Sequence, residues 1–199
     1  MAYEESSHSF SVATIRANMD STAFSSGIDM LVPPIMTKSR SSWCWRRISS
    51  STWDRCRAFS DALDSKKRSY GSSRYWNGDS HFVGTIAESL VGSLIGCPPN
   101  FDIHAEGDGG SDFSCTDVKS STFLSDPHLK VSPWELKGND FVLVVVDLPG
   151  KRARVAGWAD DDMVRNGKSH DYGHGNRYIL TERELIQGLP PSLTDPLQD

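Results

Sequence analysis

The chain has 199 residues, of which 37% are hydrophobic and 24% are charged, and its formal net charge is −5. This length predicts one domain, or one domain with a tail. No run of eighteen apolar residues occurs, which excludes a transmembrane helix, and the acidic start from Met1 to Glu5 is unlike a secretory signal. The four cysteines are scattered without a Cys-x-x-Cys pair, which argues against a zinc site and favours a reducing cytoplasm.

Charge is distributed unevenly along the chain. Residues 38–74 contain ten Lys and Arg residues against three acidic residues, so this segment carries +7 and the remainder carries −12. Such an asymmetry fits a surface that binds a polyanion, but it fits equally well a helix whose basic face is simply solvated.

The predicted elements begin after a Ser-rich N-terminal arm, residues 1–40, in which Pro33-Pro34 favours an extended structure. A basic helical segment, residues 41–78, follows. Its helix is predicted to begin at Ser50 or Ser51, because Ser51 and Asp54 resemble a capping box. Three basic residues end this helix, where they oppose the negative end of the helix dipole: Lys66, Lys67 and Arg68.

A second helix opens the third segment, residues 79–188, and Ser80 is its predicted cap. Its apolar stripe has helical spacing and comprises Val83, Ile86, Leu90 and Leu94, widened by Ala87, Val91 and Ile95. Glu88 lies off the main stripe, with Gly84 and Gly92 four residues away on either side. Because these glycines have no side chains to shield it, its carboxylate is well placed to reach into a cleft.

Strands are predicted for much of the remaining chain. Residues 111–122 indicate a β-hairpin with Asp112 on its first arm and Asp117 and Lys119 on its second, where alternate residues share a face. Residues 141–147 form a β-branched run typical of a strand buried on both faces, which pairs with residues 151–158 across a Pro-Gly turn. We also expect a strand at 101–104, a short helix at 160–166, a strand at 177–180, a helix capped by Thr181, and a polar tail, residues 189–199.

This order of elements resembles the PD-(D/E)XK nuclease superfamily, and in particular small nucleases that bacteriophages often carry. The resemblance covers roughly residues 80–185. It implies an α/β fold with a restriction-endonuclease-like core, a mixed central β-sheet flanked by α-helices. Carried over by position, Asp112 is the first acid, Asp117 and Lys119 are the acid-x-lysine pair, and Glu88 is the helical acid. Ser111 stands where the motif has proline, and the short step between the acids leaves Asp108 open as a ligand in place of Asp112.

The resemblance implies a Mg²⁺-dependent deoxyribonuclease that hydrolyses DNA phosphodiester bonds, with Mn²⁺ as a substitute metal. Its metal ligands would be Asp112, Asp117 and Glu88, and Lys119 would orient the attacking water or stabilise the transition state. A catalytically inactive nucleic-acid-binding protein with this fold is the alternative, and a hydrolase of another phosphate-containing substrate is a third reading. DNA is the expected partner, at Lys66, Lys67, Arg68, Ser121 and Lys130.

His128, Lys130 and Lys137 follow the hairpin and are a second candidate contact with nucleic acid, although a solvated loop explains them better. No membrane association is expected. The expected compartment is the cytoplasm, or the host cytoplasm if a phage encodes the chain. The sequence leaves open whether the protein is a monomer or a homo-oligomer.

Overall fold

A computed structural model describes residues 44–69, 79–99, 101, 112–173 and 175–194, with the side chains of 66–69 excluded. Four helices are α1 (Ser50–Ser69), α2 (Asp79–Ile95), α3 (Asp161–Arg165) and α4 (Pro191–Thr194). Seven strands are β1 (Arg46–Arg47), β2 (Thr116–Ser121), β3 (His128–Val131), β4 (Asp140–Asp147), β5 (Arg152–Ala159), β6 (Lys168–Asp171) and β7 (Asn176–Thr181). Among these helices, none combines the length and the hydropathy that crossing a membrane requires.

The first sheet is mixed, with strand order β1-β5-β4-β2. Strand β2 runs parallel to β4, and β5 pairs antiparallel to β4. Residues 141–147 of β4 are all buried, which confirms the prediction of a strand covered on both faces. The turn into β5 is held by Asp147, whose carboxylate accepts hydrogen bonds from the Gly150 amide at 3.0 Å and from Arg152 Nε at 2.7 Å.

One face of this sheet is covered by α1 and α2. The Val118, Val142 and Val144 side chains pack there with apolar residues of α2, including Phe82 and Ile86. The predicted apolar stripe of α2 is confirmed by the burial of Val83, Ile86, Ala87, Leu90 and Val91. Gly96, with φ of 72°, follows the last turn of the helix, in the left-handed conformation that glycine adopts most readily.

The predicted helix caps need correction. Helix α1 does begin at Ser50, but its capping oxygen belongs to Ser49, whose Oγ accepts a hydrogen bond from the Thr52 amide at 3.1 Å. Ser51 lies inside the first turn and is not the cap. Helix α2 begins at Asp79, so Ser80 also lies inside its helix. For α1 the prediction missed the cap by two residues, because adjacent serines at 49, 50 and 51 are all able to cap.

The opposite face of the first sheet is covered by a second sheet, with order β3-β7-β6, and by α3. The two layers meet in a core formed by Phe141, Leu143 and Val145 on one side and Leu129 and Leu180 on the other. The coarse prediction of a mixed α/β fold with helices against a mixed sheet is confirmed. The second sheet was not predicted, because β3 and β6 have only four residues each and β6 is exposed throughout.

Two further predictions differ from the structure. The hairpin at 111–122 is reduced to a single bridge between Phe113 and Thr116, after which β2 pairs parallel to β4 instead of with a first arm. The helix predicted from Thr181 is a 3₁₀ turn, Glu182–Glu184. The short helix at 160–166 is confirmed as α3, capped by Asp160, which accepts a hydrogen bond from the Met163 amide at 2.7 Å.

Several predictions fall outside the described residues. These are the extended arm 1–40, most of the strand proposed for 101–104, Asp108 and the end of the tail.

Candidate functional site

Asp117 and Lys119 lie on the same face of β2, as their spacing predicted. Lys119 Nζ is 3.9 Å from Asp117 Oδ2, and the two side chains are 24% and 13% exposed. Asp117 pairs with Phe141 and Lys119 with Leu143, so both point toward the second sheet. Helices α1 and α2 cover the other face, which β2 reaches through Val118. The acid-x-lysine pair therefore lies between the two sheets, at the edge of the first.

The nearest partner of Lys119 is a residue that the sequence analysis did not select. Lys119 Nζ donates to Glu135 Oε1 at 2.7 Å, and Glu135 Oε2 accepts a hydrogen bond from the Ser132 amide at 2.6 Å. Partial burial raises the pKa of Glu135, but the hydrogen bonds from Lys119 and Ser132 outweigh it, so the pKa lies below its usual range. The Ser-x-x-Glu capping pattern of residues 132–135 was the available signal, although it predicts only a local turn.

Asp112 is attached to the outer edge of β2. Its Oδ2 accepts a hydrogen bond from the Val118 amide at 2.7 Å, which is the amide of the peptide that joins Asp117 to Val118. Among the described residues, strand β2 is the last strand of its sheet, so this amide has no neighbouring strand there to donate to. The carboxylate thus replaces a strand partner, and it brings Asp112 next to the backbone that carries Asp117.

Glu88 lies in the helical layer. It is half-buried, and a Cβ atom built on Gly84 would lie 4.0 Å from Glu88 Oε1, so the carboxylate extends along α2 toward its N-terminus. Its charge also acts on Cys56 of α1: burial is the main cause that raises the pKa of this thiol, and the Glu88 carboxylate adds to it. Glu88 is therefore close to the contact between the two helices, whereas Asp117 and Lys119 project from the opposite face of the sheet.

The chemistry of these groups fits Mg²⁺ in part. Asp112 and Asp117 supply hard carboxylate oxygens, and Mg²⁺ is commonly held by one or two carboxylates together with water and phosphate. However, no three His, Cys, Asp or Glu side chains within the described ranges come close enough together to hold a metal ion. Of the predicted set, Asp112 is attached to the strand that carries Asp117, whereas Glu88 lies in the helical layer.

A groove of about 1080 Å³ opens beside Lys119. It passes from Lys119, Ser121 and Phe123 to Lys130 and Arg177, so two of the five predicted nucleic-acid contacts, Ser121 and Lys130, line it. The side chains of the other three, at positions 66–68, are outside the described set.

Comparison of the chain with protein-family models, with curated proteins and with solved structures gave no match.

Proposed function

We propose that this protein is a metal-dependent nuclease that hydrolyses DNA phosphodiester bonds beside Asp112, Asp117 and Lys119. The observation that carries the proposal is the pairing of Asp117 and Lys119 on one face of β2, 3.9 Å apart, with Asp112 hydrogen-bonded to the same strand. Two acids can hold a metal ion, and a lysine beside them can stabilise the charge that develops on a scissile phosphate.

Each of these residues has a role in the proposed reaction. Asp112 and Asp117 would hold the metal, which when bound supplies a water of lowered pKa and neutralises charge on the phosphate. Lys119 would hold the attacking water or a non-bridging phosphate oxygen in place, since its ammonium group has three donors. Glu135 would position Lys119, because its two oxygens are fixed by Lys119 and by the Ser132 amide.

The proposal includes the fold predicted from the sequence, a restriction-endonuclease-like core. It is supported by the order in which α2 precedes β2, β2 runs parallel to the buried β4, and β5 returns antiparallel. A cytoplasmic location belongs to the proposal as well, and it is supported by the four cysteines, all of which are free thiols.

A non-catalytic nucleic-acid-binding protein is the second candidate. Two observations favour it: Lys119 is closer to Glu135 than to Asp117, and the described part of the chain has no cluster of three metal-binding side chains. In this reading the Lys119–Glu135 pair is purely structural, and the groove holds a nucleic acid without cutting it.

Nicking of a supercoiled plasmid separates the two candidates. We expect nicking with Mg²⁺ or Mn²⁺ and none with EDTA, on circular, linear and single-stranded substrates tested in parallel. Lys119→Met and Asp117→Asn should each lose about 10²-fold or more in rate. Lys151→Met, at an exposed lysine in the β4–β5 turn, is the matched control and should cut normally. Binding without cleavage under every metal condition would establish the second candidate.

A further inference from the structure

The second sheet has two chemically different faces. In antiparallel pairs, residues directly opposite each other point to the same face. Leu129 opposite Leu180, and Val131 opposite Tyr178, lie on the face toward the core. The other face begins with Lys130 and Lys168, both opposite Ile179. Besides Ile179 and Thr181, that face carries only basic or imidazole side chains: His128, Lys130, Lys168, His170 and Arg177.

Two of these cations have no acidic partner among the residues that the structure describes. Neither Lys130 nor Arg177 forms an ion pair within the described part of the chain. Lys130 Nζ instead lies 4.6 Å from the ring centroid of Tyr172, which is 43% exposed. Lys168 is partly balanced, because the Glu184 carboxylate is close enough to interact with its charge. Lys130 and Arg177 are therefore the uncompensated positive charges of this face.

Two of the three acids that line the adjoining groove form ion pairs with arginines. Asp79 pairs with Arg57 at 3.1 Å and Asp147 with Arg152 at 2.7 Å. Asp126 lies 3.3 Å from His128 Nε2. Lys130 and Arg177 outnumber the one remaining acid, Asp126, so the charge of the groove suits an anionic ligand.

An exposed aromatic ring completes this groove. Phe123 is 68% exposed, and its amide donates to Ser121 Oγ at 3.2 Å, which fixes the loop directly after β2. Phe123 lines the same groove as Lys130, Arg177 and Lys119. Proteins that bind single-stranded nucleic acid combine such a ring with nearby cations. The cations contact the phosphates, and a base stacks on the ring.

We infer that the exposed face of β3, β7 and β6 binds a single strand of nucleic acid, with phosphates at Lys130 and Arg177 and a base stacked on Phe123. A single strand is the occupant because its bases are free to stack, whereas a duplex presents mainly phosphates to such a face. The inference rests on the proposed function in one respect: the groove leads to Lys119, so the strand that is bound is the strand that would be cut.

Fluorescence anisotropy with a labelled 20-mer of deoxythymidine tests the inference, in EDTA so that no cleavage occurs. Lys130→Ala with Arg177→Ala should lower the slope of log affinity against log salt by about 1.4, which between 1 M and 0.1 M salt is about 25-fold in affinity. Lys151→Ala with Arg183→Ala removes the same charge from exposed positions outside this sheet and should leave binding unchanged. Phe123→Ala should weaken binding about fivefold or more, but not binding of an abasic oligonucleotide of equal length.

Several results would overturn the inference. Equal losses of affinity in the Lys130 and Arg177 variant and in the control double variant would mean that binding depends on total charge and not on a defined site. A loss confined to Lys66→Ala with Lys67→Ala and Arg68→Ala would place the strand on the end of α1 instead. Tighter binding of a duplex with the same dependence on Lys130 and Arg177 would exclude a single strand as the preferred ligand.

The nuclease proposal and the inferred binding surface can be refuted independently. A protein that binds as described but never cuts DNA with Mg²⁺ or Mn²⁺ refutes the nuclease alone. A protein that cuts DNA while the Lys130 and Arg177 variant binds normally refutes the sheet surface alone.

Discussion

The substitution Lys119→Met is expected to abolish activity and to lower stability, and the two effects can be measured separately. It deletes the ammonium group that Glu135 contacts at 2.7 Å and that lies 3.9 Å from Asp117, while keeping most of the side chain's apolar length. The carboxylates of Asp117 and Glu135 then lose the cation that lies near both of them. We expect a less stable and inactive protein.

The size of the stability loss follows from the contacts. A hydrogen bond to a charged group contributes about 1.5–3 kcal/mol. Lys119 and Glu135 are still 24% and 27% exposed, so solvent reduces the net value and about 2 kcal/mol is expected for the single variant. For a chain of this size, that lowers Tm by about 4–8 °C. The double variant Lys119→Met with Glu135→Gln should recover about half of this loss, because the orphaned carboxylate is gone.

The assay is urea unfolding of the wild type, both single variants and the double variant, combined with plasmid nicking. The expected coupling energy between positions 119 and 135 is about 1 kcal/mol plus the loss that Glu135→Gln shows alone. The double variant should stay inactive although its stability is partly restored, since catalysis needs the ammonium group itself. A coupling energy near zero would show that the ion pair does not contribute in solution. Cutting by Lys119→Met at close to the wild-type rate would show that the site assignment is wrong.

Three further outcomes are expected. Asp112→Asn should weaken Mn²⁺ binding in calorimetry more than Asp108→Asn does, and the reverse order would transfer the ligand role to Asp108. Phe82→Ala should cost about 3–5 kcal/mol in urea unfolding, because Phe82 is fully buried against Trp53 at 4.8 Å between ring centroids, whereas Phe123→Ala should stay within about 0.5 kcal/mol. The hydrogen bond from Arg152 lowers the pKa of Asp147, so its stabilising effect is present at neutral pH and is lost as the pH falls through that lowered pKa. In a series from pH 7 to pH 3, Tm should therefore start to decrease once the pH is below about 4. The decrease should be less steep in Asp147→Asn, and parallel curves for the two proteins would contradict this.

Local patterns in the sequence predicted the elements that depend on few neighbours. The apolar stripe of α2 and the β-branched run of β4 each fill a whole face or both faces of an element, so burial could be inferred from residue spacing alone. Short strands such as β6, with the exposed sequence Lys-Ser-His-Asp, carry no such pattern. They form because β7 offers them backbone partners, and a partner distant in sequence leaves no local signal.

The candidate site was likewise only partly predictable from the sequence. That Asp117 and Lys119 share a face follows from the two-residue period of a strand, and the sequence alone determined it. Only the tertiary structure decided that Lys119 pairs with Glu135, because the residues following β3 bring this glutamate across from the second layer. Tertiary structure likewise left Glu88 among the helices, because the sheet separates α2 from the face that carries Asp117. Spacing determines which residues of one element point together, whereas the packing of layers determines which elements meet.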